Sequence, residues 1–511
     1  MTRNLKSFNR CQKFQKIMLS AFILIPFLGA IAIGFLPINL DGNRTRLVAL
    51  VIASSILILN LILGFQFDPT TLQLQFSEQI PWISSLGLSY HLGIDGLSFP
   101  LLFINSLLTL IAIYSSSPSL ERPRFYYALL FLLNGGVSGA FLAQDLLLFF
   151  LFYELEIIPL YFLIAIWGGQ RRGYAAMKFL LYTALSGILV LVSFLGLVWL
   201  SGASSFDYEP LRSNTLPVET QILLLIPLLI GLGIKIPIFP FHTWLPDAHV
   251  EASTPVSVLL AGVLLKLGTY GLLRFGIGLF LQGWVAIAPW MATLAAVSAL
   301  YGASCAIAQK DMKKVVAYSS IAHMAYILLA AAASTRLSIL AAIYQMISHG
   351  LISALLFLLV GVVYKKTGSR DVNYLRGLLN PERGLPVTGT LMILGVMASA
   401  GIPGMVGFIA EFLVFRGSYP IFPIQTLLCL IGSGLTAVYF LLMINKVFFG
   451  RLTDQLSKLP RVLWAERTPA MVLAVLIIVL GIQPNWMVRW SEPSASLLLT
   501  GNEEIALVSK Q

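Results

Sequence analysis

The stretch Ile234-Lys-Ile-Pro-Ile-Phe-Pro-Phe-His-Thr-Trp-Leu-Pro-Asp-Ala-His249 decides how this chain is read. It begins inside an apolar run from Gln221 to Phe241, which holds a lysine and, just after it, prolines at 237 and 240. A lysine at the centre of a membrane helix costs about 2.5–3.5 kcal/mol on insertion scales, so it marks a functional position. Proline breaks the hydrogen-bond ladder of a spanning helix, which is tolerated where the freed groups are buried in protein or line a wet cavity. A broken helix carrying a mid-membrane charge is the layout of ion-translocating membrane proteins.

Composition agrees. Of 511 residues, 58% are hydrophobic and 11% charged, with a mean hydropathy of +0.87. That is an all-α polytopic membrane protein. The net charge of +11 comes from basic residues scattered through loops, not from a nucleic-acid-binding patch. Cys11, Cys305 and Cys429 are far apart, and no CxxC offers an iron–sulfur or zinc site. With neither GxxxxGK[ST] nor GxGxxG, nucleotide binding has no support. No metal or cofactor is expected in this chain.

Apolar windows predict fourteen spans: 17–36, 47–65, 98–116, 125–143, 145–167, 175–201, 221–242, 255–280, 285–309, 315–333, 337–364, 387–415, 421–449 and 468–491. The first, with its basic leader, is too long for a signal-peptide core. The loops after odd-numbered spans hold eighteen Lys and Arg, and the opposite loops with the C-terminal tail hold four, which puts both termini outside. The first sixteen residues, with five basic side chains and no acid, oppose that placement. A start of synthesis at Met18 would remove the conflict. The expected units are a basic tail at 1–17, helices 1–3 at 18–124 with an outer hairpin at 66–97, five-helix repeats at 125–280 and 281–449, and an inner loop, helix 14 and short tail at 450–511. The second repeat is expected to be inverted, because each repeat has an odd number of spans. The fourth member of each is broken, at Pro237 and Pro240 in span 7 and at Gly401, Pro403 and Gly404 in span 12. Such paired interruptions point to a transport site.

Several spans carry ionisable residues. Glu154 lies nine residues past Asp145, which is ~13 Å into the bilayer. Glu156 lies about 200° round a straight helix from Glu154's face, so its role stays open between function and packing. Lys235, Lys266, His323, His349 and Glu411 complete a row suited to protons, because carboxyl, amine, imidazole and water all relay them. Each has a plainer reading as a locally hydrogen-bonded buried group. Lys178 and Lys446 lie near inner helix ends, where they can snorkel, and Arg274 and Arg489 are expected near the outer interface. The turn from Thr243 to Thr254, with Asp247, His249 and Glu251, reads as a capping or subunit contact before it reads as a proton mouth.

Asp145-Leu-Leu-Leu-Phe-Phe-Leu-Phe-Tyr-Glu-Leu-Glu-Ile-Ile-Pro-Leu-Tyr-Phe-Leu-Ile-Ala-Ile-Trp-Gly168 and His242-Thr-Trp-Leu-Pro-Asp-Ala-His249 resemble the antiporter-like subunits of respiratory complex I. So do Ala252-Ser-Thr-Pro-Val-Ser-Val-Leu-Leu-Ala-Gly-Val-Leu-Leu-Lys-Leu-Gly268 and Ala317-Tyr-Ser-Ser-Ile-Ala-His-Met324. The resemblance is strongest to the chain-4 (NuoM/NdhD) type, with cyanobacterial and plastid wording around Glu154-Leu-Glu156. It implies fourteen helices, discontinuous helices 7 and 12, and proton translocation driven by quinone reduction in partner subunits. It places the family's Glu–Lys pair on Glu154 and Lys235, its central lysine on Lys266, its relay histidines on His323 and His349, and its terminal acid on Glu411. NAD(P)H or ferredoxin, quinone and Fe–S clusters are implied in those partners, in a thylakoid membrane. The same motifs admit a chain-4 paralogue of a CO2-uptake complex with a CO2-hydration protein as partner. An Mrp-type Na⁺/H⁺ antiporter subunit, against which Glu411 argues, and a purely structural spacer remain as alternatives.

Overall fold

The computed structural model describes residues 17–35, 41–453, 456 and 459–499. The basic tail at 1–16, on which the Met18 expectation rests, lies outside the described residues, as does the end of the chain after 499. In order, the helices are α1 Met18–Gly34, α2 Gly42–Gln66, α3 Ser98–Ser115, α4 Pro123–Leu142, α5 Leu146–Trp167, α6 Arg172–Ser201 and α7 Val218–Lys235. They continue as α8 Thr254–Ile277, α9 Leu281–Ile307, α10 Met312–Ala333 and α11 Arg336–Thr367. Then come α12 in two pieces, Pro386–Ser399 and Val406–Ser418, α13 Pro423–Phe448, α14 Trp464–Ile482 and α15 Asn485–Leu498. Among the described residues, twelve helices are long and apolar enough to cross a membrane, and α1 and the first piece of α12 are shorter apolar helices.

Burial sorts these helices. The apolar windows of α8, α10 and α11 are 100%, 94% and 89% buried inside the chain, against 28% for α2 and 33% for α14. The enclosed helices are those carrying Lys266, His323 and His349. A charge facing hydrocarbon is costly, so ionisable side chains face the bundle interior.

Between α2 and α3, β1 Gln75–Ile83 pairs antiparallel with β2 Leu88–Ile94, Gln79 opposite His91. The hairpin supplies a cap that α1 lacks. Ile17 offers no side-chain acceptor at the helix start, and the buried Glu78 carboxylate accepts from the Leu19 and Ser20 amides at 2.6 and 3.2 Å.

The two expected repeats share local devices. Asp145 caps α5 by accepting from the Leu148 amide at 3.0 Å, and its backbone bridges Asp207. Asp311 caps α10 by accepting from the Lys313 amide at 2.7 Å, and its backbone bridges Asp371. Asp145 to Asp311 and Ile236-Pro237 to Ile402-Pro403 are separated by the same interval along the chain.

Three boundaries differ from the sequence expectation. Span 14, expected over 468–491, ends at Ile482; Pro484 cannot donate into a continuing ladder, and a separate amphipathic helix, α15, follows. Met487, Ser491, Ser494, Ala495 and Leu498 face inward from α15, and Ser494 Oγ accepts from the Gly96 amide at 2.9 Å. Span 10, expected from 315, starts at Met312, so Lys313 is a buried helix residue and not a loop charge. Arg274, in the last turn of α8, is buried, and it donates to Asp95 Oδ2 at 2.6 Å between the rings of Tyr208 and Tyr270. Span 5, expected as one helix, breaks at Glu156 between Leu146–Leu155 and Ile157–Trp167.

Candidate functional site

The break in α5 has a visible cause. Pro159 has no N–H to give the Leu155 carbonyl, and its ring crowds that carbonyl. The helix yields one residue later, at Glu156. Two residues on, Glu156 points away from Glu154's face, and on that side it meets Lys235.

Lys235 is the last residue of α7. Beyond it the chain turns through Pro237 and Pro240. The carbonyls freed there are partly recovered: Trp244 Nε1 donates to the Ile234 carbonyl at 2.8 Å, and the Ile238 amide to Gly233 at 3.0 Å. Lys235 Nζ forms an ion pair with Glu156 Oε1, both side chains 0% exposed. Beyond each other, neither has a hydrogen-bond partner. The ammonium also sits 3.9 Å from the centroid of the Tyr153 ring, a cation–π contact strengthened by desolvation. Tyr153 is held in turn, its hydroxyl 2.9 Å from Ser186 Oγ, which donates to the Gly231 carbonyl at 2.7 Å.

The pairing expected from the family resemblance, Glu154 with Lys235, is therefore not the one the geometry makes. Glu154 turns towards α6, where a Cβ at Gly187 would overlap its carboxylate. Its Oε1 is buried without a hydrogen-bond partner. It remains within electrostatic reach of Lys235.

Lys266 lies on the α-helical turn Leu265–Gly271 of α8, between π-helical stretches Leu260–Leu264 and Leu272–Ile277. Such wide turns are frequent at functional sites. Lys266 Nζ donates to the Ala261 carbonyl and hydrogen-bonds His349 Nδ1 at 2.7 Å. Close approach of α8 and α11 makes this possible: a Cβ at Gly350 would lie 2.9 Å from the Gly262 carbonyl oxygen.

From His349 the row continues to His323 and Glu411. The His349 and His323 rings are 5.8 Å apart. His323 Nδ1 faces Glu411 Oε1 at 3.2 Å, and its Nε2 lies 3.0 Å from Ser399 Oγ. The imidazole thus lies between a carboxyl group and a hydroxyl, each of which can exchange a proton with it. Ser433 Oγ donates to Glu411 Oε2 at 2.5 Å. Gly401, with φ 69°, and Gly404, with φ 90°, supply the left-handed backbone that breaks α12, and Pro403 lies between them. His323, Gln345, Ser348, His349, Ser399 and Glu411 line a cavity of ≈ 10 Å³ for a water centre, about the room one water needs. His349 Nε2 and Gln345 Oε1 are buried there without protein partners.

The turn at 243–254 is more deeply built in than its sequence suggests. Asp247 pairs with Lys178 at 2.8 Å, and Glu251 Oε2 accepts from the Arg171 amide at 2.9 Å. Asp247 ties the turn to α6, and Glu251 ties it to the loop just before α6. His249 does neither. Its ring is buried and stacked on Phe357 at 4.6 Å, with both nitrogens unpartnered. Burial, then the Lys313 and Lys266 ammoniums, push the imidazole down to about 3, so it is neutral at physiological pH. Lys313 Nζ donates to the Ala252 carbonyl at 2.7 Å and to the His249 carbonyl at 3.3 Å. Tyr153, Lys313 and the pairing of Glu156 escaped sequence reasoning; Pro159, three residues after Glu156, was the signal for the break in α5. Among the described residues no group of three or more His, Cys, Asp or Glu side chains could hold a metal ion.

Residues 143–436, which contain every member of the row, match the family described as NADH:quinone oxidoreductase/Mrp antiporter, TM. A relative from Synechococcus sp. (strain JA-3-3Ab), "NAD(P)H-quinone oxidoreductase chain 4 1", is 42% identical over 91% of this chain and 89% of its own length. A chain of respiratory complex I from Thermus thermophilus superposes with a TM-score of 0.86 at 28% identity, over 94% of this chain and 99% of its own. A chain of the Mrp complex from Dietzia sp. DQ12-45-1b has a TM-score of 0.85 over 95% of this chain and 97% of its own. At 21% identity, that likeness is one of fold alone. The chain belongs to the NADH:quinone oxidoreductase/Mrp antiporter transmembrane family and, within it, to the chain 4 subunits of NAD(P)H-quinone oxidoreductase.

Proposed function

We propose that this chain is a proton-translocating membrane-arm subunit of a NAD(P)H or ferredoxin:(plasto)quinone oxidoreductase in a thylakoid membrane. Protons move along Glu154, Lys235, Lys266, His349, His323 and Glu411, driven by quinone reduction in partner subunits. The observation that carries this reading is the run of contacts Lys266–His349–His323–Glu411 through the three most enclosed helices. Each member can gain or lose a proton, and the two imidazoles line one water-sized cavity. A spacer would not repay the cost of burying them.

Lys235→Ala is expected to abolish pumping through this subunit while the complex still assembles. Proton uptake per electron in membrane vesicles measures it, and a normal ratio in the mutant removes the scheme. Mass spectrometry of subunits that co-migrate after gentle detergent extraction tests the setting. Quinone-module and other antiporter-like subunits are the expected companions. A co-migrating CO2-hydration protein would instead assign the same path to carbon uptake, and small Mrp-type partners alone would remove the redox coupling.

A further inference from the structure

We propose that Glu156 is the resident carboxylate of Lys235 and that Glu154 is a second acid in a slot of its own. The lysine of the broken helix then works between two acids. This rests on the proton-path reading above and adds a residue to it.

Three observations carry it. Lys235 and Glu156 are fully buried and have no other hydrogen-bonding partner, so each depends on the other for compensation. Glu154 is half-buried and faces Gly187, where no larger residue leaves room for its carboxylate. One of its oxygens is free to accept. Tyr153, tied through Ser186 to the backbone of α7, places its ring face under the Lys235 ammonium. Glu154 and Glu156 stand two residues apart at the break in α5.

The chemistry balances as proton transfers alone. At rest the Lys235 ammonium sits on the Glu156 carboxylate. When that proton moves on towards Lys266, Lys235 becomes a neutral amine and Glu156 is left uncompensated. A proton held on the Glu154 carboxyl then passes to the amine. This restores the ammonium on Glu156 and leaves Glu154 as a carboxylate ready to be recharged. Glu156 keeps its charge throughout and acts by drawing the proton back to Lys235.

The test compares Glu154→Gln, Glu156→Gln, Glu156→Asp and Lys235→Ala in the intact membrane complex, with proton uptake per electron as the readout. Glu156→Gln is expected to lower the ratio as far as Lys235→Ala does. Glu156→Asp, which keeps the charge, is expected to recover part of it. A wild-type ratio in Glu156→Gln, with Lys235→Ala and Glu154→Gln both impaired, overturns this inference and leaves the proton path standing. A wild-type ratio in Lys235→Ala overturns the path itself, and this inference with it. If Glu156→Gln does not assemble, the double variant Glu156→Gln/Lys235→Met, which removes both buried charges, is expected to restore assembly. Failure of that double variant to assemble any better than Glu156→Gln alone also overturns the inference.

Discussion

Gly350→Ala should weaken proton transfer without touching a titratable group. The new Cβ would lie 2.9 Å from the Gly262 carbonyl oxygen, where ordinary contact begins at 3.4 Å. Backbone atoms meet there, so α8 and α11 must part by about half an ångström. Lys266 is four residues beyond Gly262, and His349 is next to Gly350. Their 2.7 Å hydrogen bond would stretch to roughly 3.2 Å, the long edge of the normal range. A hydrogen bond to a charged group contributes about 1.5–3 kcal/mol, and losing part of it is expected to cost ~1 kcal/mol. That is about a fivefold loss in the transfer step. Helix stability works the other way, since alanine is favoured over glycine by about 0.5–1 kcal/mol in a helix interior. Assembly should therefore be normal while pumping falls. The assay is proton uptake per electron, with Gly434→Ala as control, because a Cβ at Gly434 meets nothing within 4 Å. Wild-type pumping in Gly350→Ala would refute the claim that close packing of α8 on α11 sets the Lys266–His349 contact.

Two predictions concern stability. Arg274→Ala leaves Asp95 buried and unpaired, which should destabilise the chain by about 3–5 kcal/mol; thermal denaturation of the purified complex measures it, and an unchanged midpoint would argue that the pair is dispensable. Asp207 is buried in part, which raises its pKa, but hydrogen bonds from His91, Ser89 and Gln79 outweigh this and hold it below its ordinary value of 3.8. A lowered folded-state pKa means that Asp207's contribution is fully present above 3.8 and is lost as pH falls below it. Hydrogen-exchange protection of residues 75–94, corrected for intrinsic rates, should be steady at neutral pH and drop in that acidic window. Asp207→Asn should remove the acid-dependent drop.

Much of the arrangement was legible along the chain. Lys266, His323, His349 and Glu411 were singled out because an ionisable residue in an apolar span needs a reason, and four adjoining helices each supplied one. The breaks at Pro237 and Gly401 were legible because proline and glycine act on the local backbone. Glu154 and Glu156 show where the reading stopped. Their different facings were legible from the helical period, but which facing meets Lys235 depends on how distant helices are placed. Lys313 failed differently. It lies at a helix start, where a shift of three residues decides between loop and core.

The sequence by itself determined the class, the broken helices and the set of ionisable residues, because membrane burial imposes its rules residue by residue: apolar length, paid-for charges and interrupted ladders. Only the tertiary structure decided which of those residues meet. Lys235 meets Glu156 where the end of α7 lies beside the break in α5, and Lys266 reaches His349 because two glycines let α8 and α11 close to contact. Contacts of a few ångströms between distant helices depend on how backbones bend and approach, and no pattern within a single span encodes that.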